Sequence, residues 1–295
     1  MKNIRSKTNL AWLVPLSLVS VAGLSACSTS AKKASASFQV ARPVETLYSR
    51  ATTALDRHLY DEAATAFEEV ERQHPFSEWA RRSLLMSAYA YYEANKYDEA
   101  IAAADRFIGL HPGNKDAPYA YYLIAQSWFE QILDVGRDQA TSSNALQALN
   151  EIVRRFPDSD YALDARVKID MVRDQLAGKD MEVGRYYLKH RRPIAAINRF
   201  SNVLKQYQTT THAPEALHRM VEANLSLGLV DEARRAGAVL GYNFPGSRWY
   251  ADSYKLLRQA GALSEEQSLP EPVKQDAVAT PATAPPPSEP PAPSP

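Results

Sequence analysis

Apolar and polar positions follow one register that recurs along most of the chain. An alanine stands 12 positions before a proline four times: Ala63 before Pro75, Ala100 before Pro112, Ala145 before Pro157 and Ala233 before Pro245. A fifth alanine, Ala196, fits the same register with Gln208 in the place of the proline. Self-similarity on this length scale is typical of proteins built from repeated helix pairs. The register therefore predicts an all-α fold.

Each part of the repeated unit has a physical role in a helix pair. The alanine lets two antiparallel helices approach closely, and a larger apolar residue four positions later, such as Phe67 or Phe200, fills the space toward the next pair. The proline ends the second helix because it has no N–H to donate and its ring clashes with the preceding turn. The residue two positions after each proline is predicted to cap the next helix; these residues are Ser77, Asn114, Ser159 and Ser247.

The distances between successive register alanines describe how the pairs are arranged. They are 37, 45, 51 and 37 residues, against about 34 for a tetratricopeptide repeat. We interpret residues 132–137 as an insertion in the third repeat, residues 160–176 as an additional helix, and residues 249–257 as a capping helix. The prediction is a tetratricopeptide-repeat solenoid of about five helix pairs, with a break near its middle and disordered termini.

Residues 1–26 are predicted to be a signal peptide that is removed. Three cations in the first seven residues precede an uncharged apolar stretch over residues 10–24, which is shorter than the roughly 20 apolar residues of a membrane-spanning helix. The run Leu-Ser-Ala-Cys that ends at Cys27 resembles the lipobox of bacterial lipoproteins. Cys27 is also the only cysteine, so no internal disulfide is possible.

The lipobox implies that Cys27 carries S-diacylglycerol and N-palmitoyl groups, which together anchor more firmly than a single acyl chain. Ser28, rather than an aspartate, follows the cysteine. By resemblance to sorted lipoproteins, this favours the periplasmic face of the outer membrane. Residues 27–43 are then a lipidated tether to the repeats.

Residues 261–295 form a proline-rich tail with few large apolar side chains. This composition predicts an extended, disordered segment. Its role stays open between a ligand for a groove, a spacer toward the cell wall, and a simple solubilising tail.

Charge and motifs exclude several classes of function. Lysine plus arginine and aspartate plus glutamate both number 34, so a nucleic-acid partner is not expected. The chain has no G-x-S-x-G motif, phosphate loop or H-E-x-x-H motif, and its histidines are not spaced as metal ligands. We therefore expect a protein that is not an enzyme and holds no metal or cofactor apart from the lipid on Cys27.

Longer segments resemble one particular family of repeat lipoproteins. Residues 71–132, 154–166, 181–200 and 218–233 are similar to the BamD (ComL) family of the outer-membrane β-barrel assembly machinery, and the resemblance covers about residues 44–257. Two features depart from the family: the long proline-rich tail, and His-Arg-Arg-Pro at residues 190–193, where a turn containing glycine is common.

The resemblance implies a scaffold that binds the POTRA domains of the β-barrel insertase, other assembly lipoproteins and unfolded outer-membrane proteins. In this reading, residues 44–157 are N-terminal repeats that receive substrate, and residues 158–260 are C-terminal repeats that bind the insertase. Arg199 lies at a position that resembles the insertase contact of the family, and Tyr186 and Tyr187 are close to it in sequence.

The first helix of each repeat is expected to line the inner wall of the solenoid. Counting inward positions along these helices predicts a groove of aromatic and aliphatic side chains with one cation: Tyr48, Arg82, Leu85, Tyr89, Tyr92, Tyr122 and Phe129. Tyrosine offers a large contact area at little entropic cost, and arginine can hold a carboxylate in a bidentate manner. Such a groove suits the end of a β-barrel strand with its aromatic residue and free carboxylate, although ordinary packing between helices would need tyrosines too.

Two other functions share the repeat architecture. One is a pilus, secretin or envelope-division lipoprotein. The other is a cell-wall enzyme with a helical-repeat domain, which would need a second globular domain for its catalytic glutamate, and the chain leaves no room for one.

Overall fold

The computed structural model describes residues 42–263 and 269–272, so the predicted signal peptide, Cys27 and most of the proline-rich tail lie outside the described residues. The described part contains eleven helices: α1 (Val44–Asp56), α2 (Tyr60–Gln73), α3 (Glu78–Glu93), α4 (Tyr97–Leu110), α5 (Ala117–Glu130), α6 (Ala140–Arg155), α7 (Asp160–Lys189), α8 (Pro193–Gln206), α9 (Ala213–Ser226), α10 (Val230–Asn243) and α11 (Arg248–Gln259). None of these helices is long and apolar enough to cross a membrane.

Consecutive helices pack in pairs, from α1 with α2 to α9 with α10, and α11 packs on the last pair. This confirms the predicted all-α solenoid of five pairs with a capping helix. The register alanines are completely buried at the helix crossings: Ala63, Ala100, Ala145, Ala196 and Ala233. Phe67 and Phe200 are equally buried beside them, as the spacing predicts.

Three of the four predicted caps form. The hydroxyl oxygens of Ser77, Ser159 and Ser247 each accept a hydrogen bond from the main-chain N–H three residues later, which satisfies one of the free donors at a helix start. The prediction for Asn114 is wrong, because the loop after Pro112 is longer and α5 begins only at residue 117. The Asn114 side chain instead accepts from the Asp116 N–H at 2.8 Å and shapes the loop.

The predicted break near the middle is also wrong. The additional residues extend α7 into one uninterrupted helix of 30 residues, whose two halves pack on α6 and on α8. The insertion between α5 and α6 lies against the middle of this helix. There the Gln175 side chain donates to the Leu133 carbonyl at 2.8 Å, and Lys179 donates to the Gly136 carbonyl at 3.0 Å.

Left-handed residues form the turns inside four of the helix pairs. They are His58, Asn95 and Arg191, with φ of 57°, 59° and 57°, and Gly228, with φ of 72°. The turn at Arg191 thus keeps a conformation that favours glycine, although the residue has a side chain.

The chain after α11 does not leave the solenoid at once. Ala262 is buried, and Leu263 and Leu269 pack on the apolar cluster of the last repeat. The expectation of a disordered segment from residue 261 onward is therefore wrong for these residues.

Candidate functional site

A cleft of about 840 Å³ lies between α1 and α3, the first helices of the first two repeats. Its apolar wall is made by Tyr48, Trp79, Met86 and Tyr89, and Arg82 supplies a cation. The Tyr48 and Trp79 rings lie 4.7 Å apart between centroids, in a tilted arrangement. The repeat geometry explains this composition, because neighbouring first helices place their inward-facing side chains on the same wall.

Tyr48 joins the cleft to the core of the first repeat. Its side chain is 6% exposed, and its ring packs edge-on against Phe67. Burial raises the pKa of the Tyr48 phenol, and the charge of the nearby Arg82 guanidinium opposes this rise. The hydroxyl oxygen is buried, and the Arg82 guanidinium also interacts with it as a hydrogen-bond donor.

A second cleft, of about 1020 Å³, adjoins the first and shares Trp79, Arg82 and Met86 with it. It runs over Leu85 to the loop between α4 and α5, where Lys115 adds a further cation. The exposed Arg82 therefore stands on the boundary between a mainly apolar cleft and a more polar one. The arrangement can hold a negatively charged group at Arg82 and an apolar side chain beside it.

The predicted groove residues fall into two groups. Tyr48, Arg82, Leu85 and Tyr89 line one or both clefts. The other predicted residues, Tyr92, Tyr122 and Phe129, line neither of them and lie in the packing between later helices.

Tyr122 belongs to a polar contact between α5 and α7. Its hydroxyl donates to Asp164 at 3.0 Å and accepts from the Lys168 ammonium at 3.1 Å. The same ammonium lies 5.7 Å from the centre of the Phe129 ring. Tyr92 is half-buried, and burial, the largest cause, raises its pKa to about 12. The hydrogen bonds of Tyr122 with Asp164 and Lys168 join α5 to α7 and leave little of the Tyr122 ring for a ligand.

Arg199 lies on α8 with about half of its side chain exposed. Its guanidinium donates to the Asp180 carboxylate on α7 at 3.1 Å, and Asn202 donates to the same carboxylate. Asp180 is 8% exposed. A buried acid thus holds one end of the guanidinium, and the remaining N–H donors face outward. Nearby, Tyr186 is exposed, whereas Tyr187 packs on the apolar cluster beneath α8.

Sequence reasoning missed Trp79 and Met86 as lining residues. Both lie on α3: Trp79 precedes the first inward position that was counted, Arg82, and Met86 lies between two such positions. Each reaches the cleft because a large side chain extends beyond its own helix face. A signal was available in Trp79, since a tryptophan in the first turn of an otherwise inward-facing helix is seldom left without a contact.

The structure also brings together a serine, a histidine and a glutamate that share no sequence motif. The Ser253 hydroxyl lies 2.8 Å from Nδ1 of His218, and Nε2 of His218 lies 3.6 Å from Glu222. Ser253 is completely buried between α9 and α11. No substrate can approach its hydroxyl, so these residues stabilise the last repeat and form no nucleophilic site.

Among protein families, residues 40–240 match the model of YfiO, an outer membrane lipoprotein family. The chain is 54% identical over 257 residues to the outer membrane protein assembly factor BamD of Caulobacter vibrioides, covering 87% of this chain and 84% of that protein. It is 44% identical to the protein of that name from Rickettsia prowazekii, covering 74% of this chain and 87% of the relative. The relative from Neisseria meningitidis is 36% identical, with 72% and 83% covered.

Among solved structures, the chain is similar to the TPR2AB domain of yeast Sti1 in its complex with pHSP90. The sequence identity is 13%, the TM-score is 0.42, and the alignment covers 74% of this chain and 82% of that one.

Proposed function

Because the chain belongs to the BamD (YfiO) family of outer-membrane protein assembly factors, we propose that it is a lipid-anchored scaffold of that assembly process. In this proposal it has no catalytic role and binds two classes of partner. Unfolded outer-membrane proteins bind at the N-terminal clefts, and the POTRA domains of the β-barrel insertase bind near Arg199. Cys27 carries the lipid that keeps the scaffold at the outer membrane, close to other assembly lipoproteins.

The observation that supports substrate binding is the position of Arg82 at the edge of the apolar cleft, where a second, more polar cleft adjoins it. A β-barrel strand that ends in an aromatic residue offers a ring and a carboxylate within a few ångströms of each other. Arg82 is suited to the carboxylate, and the cleft of Tyr48, Trp79 and Met86 is suited to the ring.

The insertase contact rests on the orientation of Arg199. Its ion pair with the buried Asp180 limits the rotamers of a long side chain, so less entropy is lost when a partner carboxylate binds. A contact of this type contributes mainly by steering and by fixing register.

A peptide that ends in a free phenylalanine tests the substrate site, with the same peptide amidated as the ligand control. Arg82→Gln should weaken binding of the free acid about tenfold, which corresponds to the loss of one charge-assisted hydrogen bond. The amidated peptide should bind the variant and the natural chain equally. Arg106→Gln is the matched protein control, because Arg106 is a half-exposed arginine on α4 that pairs with Glu71. An equal loss of peptide affinity in Arg82→Gln and Arg106→Gln, or no preference of the natural chain for the free acid over the amide, would exclude Arg82 as the residue that binds the carboxylate.

Tyr89 and Tyr92 provide a second test within one helix. Tyr89 lines the cleft and Tyr92 does not. We expect Tyr89→Ala to weaken peptide binding more than Tyr92→Ala at equal helicity. The reverse order would place the substrate on later repeats.

The partner of Arg199 is tested by purifying the lipidated protein from detergent-solubilised membranes. Arg199→Glu should reduce the recovered insertase without changing peptide affinity, whereas Lys205→Glu, an exposed charge reversal on the same helix, should not. Recovery of secretins or division proteins in place of the insertase would support the rival lipoprotein function. Full assembly activity of a Cys27→Ser form at equal expression would show that the lipid is dispensable.

A further inference from the structure

The start of the proline-rich tail is bound to the end of the solenoid. After α11 the chain reverses at Gly261, which has a φ of 65°. Leu269 then packs on an apolar cluster that includes Val221, Ala233 and Leu257. The cluster lies where a further repeat would otherwise stack, and the end of a solenoid has to be covered.

The floor of this contact is a glycine. A Cβ at Gly237 on α10 would lie 3.4 Å from Cδ1 of Leu269 and 2.6 Å from Cδ1 of Leu257. The missing side chain therefore lets α11 and the tail approach α10 together. We call this surface of α10 and α11, on which the Leu269 side chain rests, the groove.

A buried hydroxyl forms the polar part of the groove. Tyr250 on α11 is completely buried, and its hydroxyl donates a hydrogen bond to the main-chain carbonyl of Pro270. Gly241 makes room for it, since a Cβ there would lie 2.7 Å from the hydroxyl oxygen. Burial raises the pKa of Tyr250, which keeps the phenol protonated and able to donate. The groove thus contacts a leucine side chain and the carbonyl of the next residue.

We propose that this groove is a second peptide-binding site, which takes a leucine side chain and the main-chain carbonyl of the next residue from an extended segment such as Leu-Pro, and that Leu269 and Pro270 are a resident ligand which such a segment of another protein displaces. The site is distinct from the clefts at Tyr48 and Arg82 and does not depend on the function proposed for them.

The small size of the contact supports displacement. Ala262 and Leu263 cover part of the cluster independently, and the contact made by the next described residues is limited: Leu269 is only partly buried, and Pro270 and Glu271 are exposed. Proline favours an extended backbone without internal hydrogen bonds, so a proline-containing peptide loses little entropy on binding. The tail has the advantage of being tethered, because short tethers give millimolar effective concentrations. A competing peptide therefore binds most tightly to a chain whose tail has been released from the groove.

The test uses the complete mature chain and a fluorescein-labelled peptide of residues 266–274, followed by anisotropy. Leu269→Asp in the protein should release the tail and strengthen peptide binding at least tenfold, since the competitor within the chain is removed. Adding Tyr250→Phe should then weaken binding severalfold through loss of one hydrogen bond. Adding Tyr242→Phe instead is the matched control and should change nothing, because Tyr242 is 86% exposed on α10.

A second probe tests whether Leu-Pro alone is recognised. A peptide that keeps Leu-Pro and has glycine and serine at all other positions should still bind the Leu269→Asp protein, and its Leu→Ala version should not. Binding of the natural peptide only would restrict the groove to its own tail and overturn the proposal.

Other outcomes would also overturn it. A lower melting temperature of Leu269→Asp without any peptide binding would make the tail a structural cap. Equal effects of Tyr250→Phe and Tyr242→Phe would exclude the hydroxyl as a recognition element. A concentration-dependent dimer of the natural chain that Leu269→Asp abolishes would make a second copy the occupant of the groove.

Discussion

Gly184 in α7 is the position where adding a single methyl group should have the largest effect on the C-terminal repeats. A Cβ there would lie 2.8 Å from Cδ1 and Cζ of Phe200 and closer still to Cε1, whereas ordinary contacts begin at 3.4 Å. The Phe200 ring is completely buried among Ala177, Met181 and Val203. It therefore has no free space into which to move.

Two opposing contributions determine the effect of Gly184→Ala. Replacing glycine by alanine inside a helix is favourable by up to about 1 kcal/mol. Overpacking a rigid core site typically costs about 1–3 kcal/mol, and three close contacts with one ring place this site at the upper end. We expect a net loss of about 2 kcal/mol, which lowers the melting temperature by about 4–8 °C in a protein of this size.

The assay is thermal and urea unfolding followed by helical circular dichroism. Gly109→Ala in α4 is the matched control, because a Cβ there meets nothing within 4 Å and the helix should gain slightly in stability. Combining Gly184→Ala with Phe200→Leu should recover part of the loss, since the smaller side chain makes room. If Gly184→Ala is as stable as the natural chain, the close packing of α7 on α8 inferred from Phe200 is refuted.

Three further predictions follow from buried or strained groups. The pKa of Tyr92 is raised from 10.0 to about 12, so the stability contributed by the protonated phenol is complete below pH 10 and is lost as the pH rises to 12. The Tyr92→Phe variant should therefore lose less stability than the natural chain between urea titrations at pH 9 and at pH 11. Equal losses in the two proteins would contradict this prediction. Arg191→Gly should stabilise the chain by about 1 kcal/mol, because the left-handed turn at φ 57° strains any residue with a Cβ, and an unchanged unfolding midpoint would show that no strain is present. Asp164→Ala should lower the free energy of unfolding by about 2 kcal/mol, because the Lys168 ammonium, only 14% exposed, loses its partner. Adding Lys168→Met should restore part of this stability. If it does not, the loss is due to packing rather than to the unpaired charge.

The repeat register predicted the fold well because one physical requirement governs it throughout. Close helix crossings need a small residue, and all five register alanines are buried at such crossings. The predicted break failed for a local reason. Spacing counts residues, but it does not distinguish a separate helix from an extension of an existing one. The structure shows α7 as one helix of 30 residues, and the insertion near Leu133 and Gly136, distant in sequence, contacts its middle.

The sequence identified the helix face that lines the candidate site, but it did not identify every residue on that face correctly. Counting inward positions found Tyr48, Arg82 and Tyr89, which do line the cleft. The same counting placed Tyr122 in the groove, because it cannot foresee a polar partner on another helix, here Asp164. The bound start of the tail was not predictable for a related reason. Its contacts depend on glycines in α10 that leave no periodic signal.

The unbroken α7 also fixes the angular relation between the two ends of the solenoid. Each residue turns an α-helix by about 100° and advances it by 1.5 Å. The first half of α7 packs on α6, the last helix of the first three pairs, and its second half packs on α8 and leads into the last repeats. Deleting one residue from its centre would therefore swing Arg199 a quarter of a turn or more around the helix axis, away from its direction relative to the cleft at Arg82. A change in the length of α7 therefore preserves this direction only when it nearly completes whole turns, as a change of about seven or about eleven residues does.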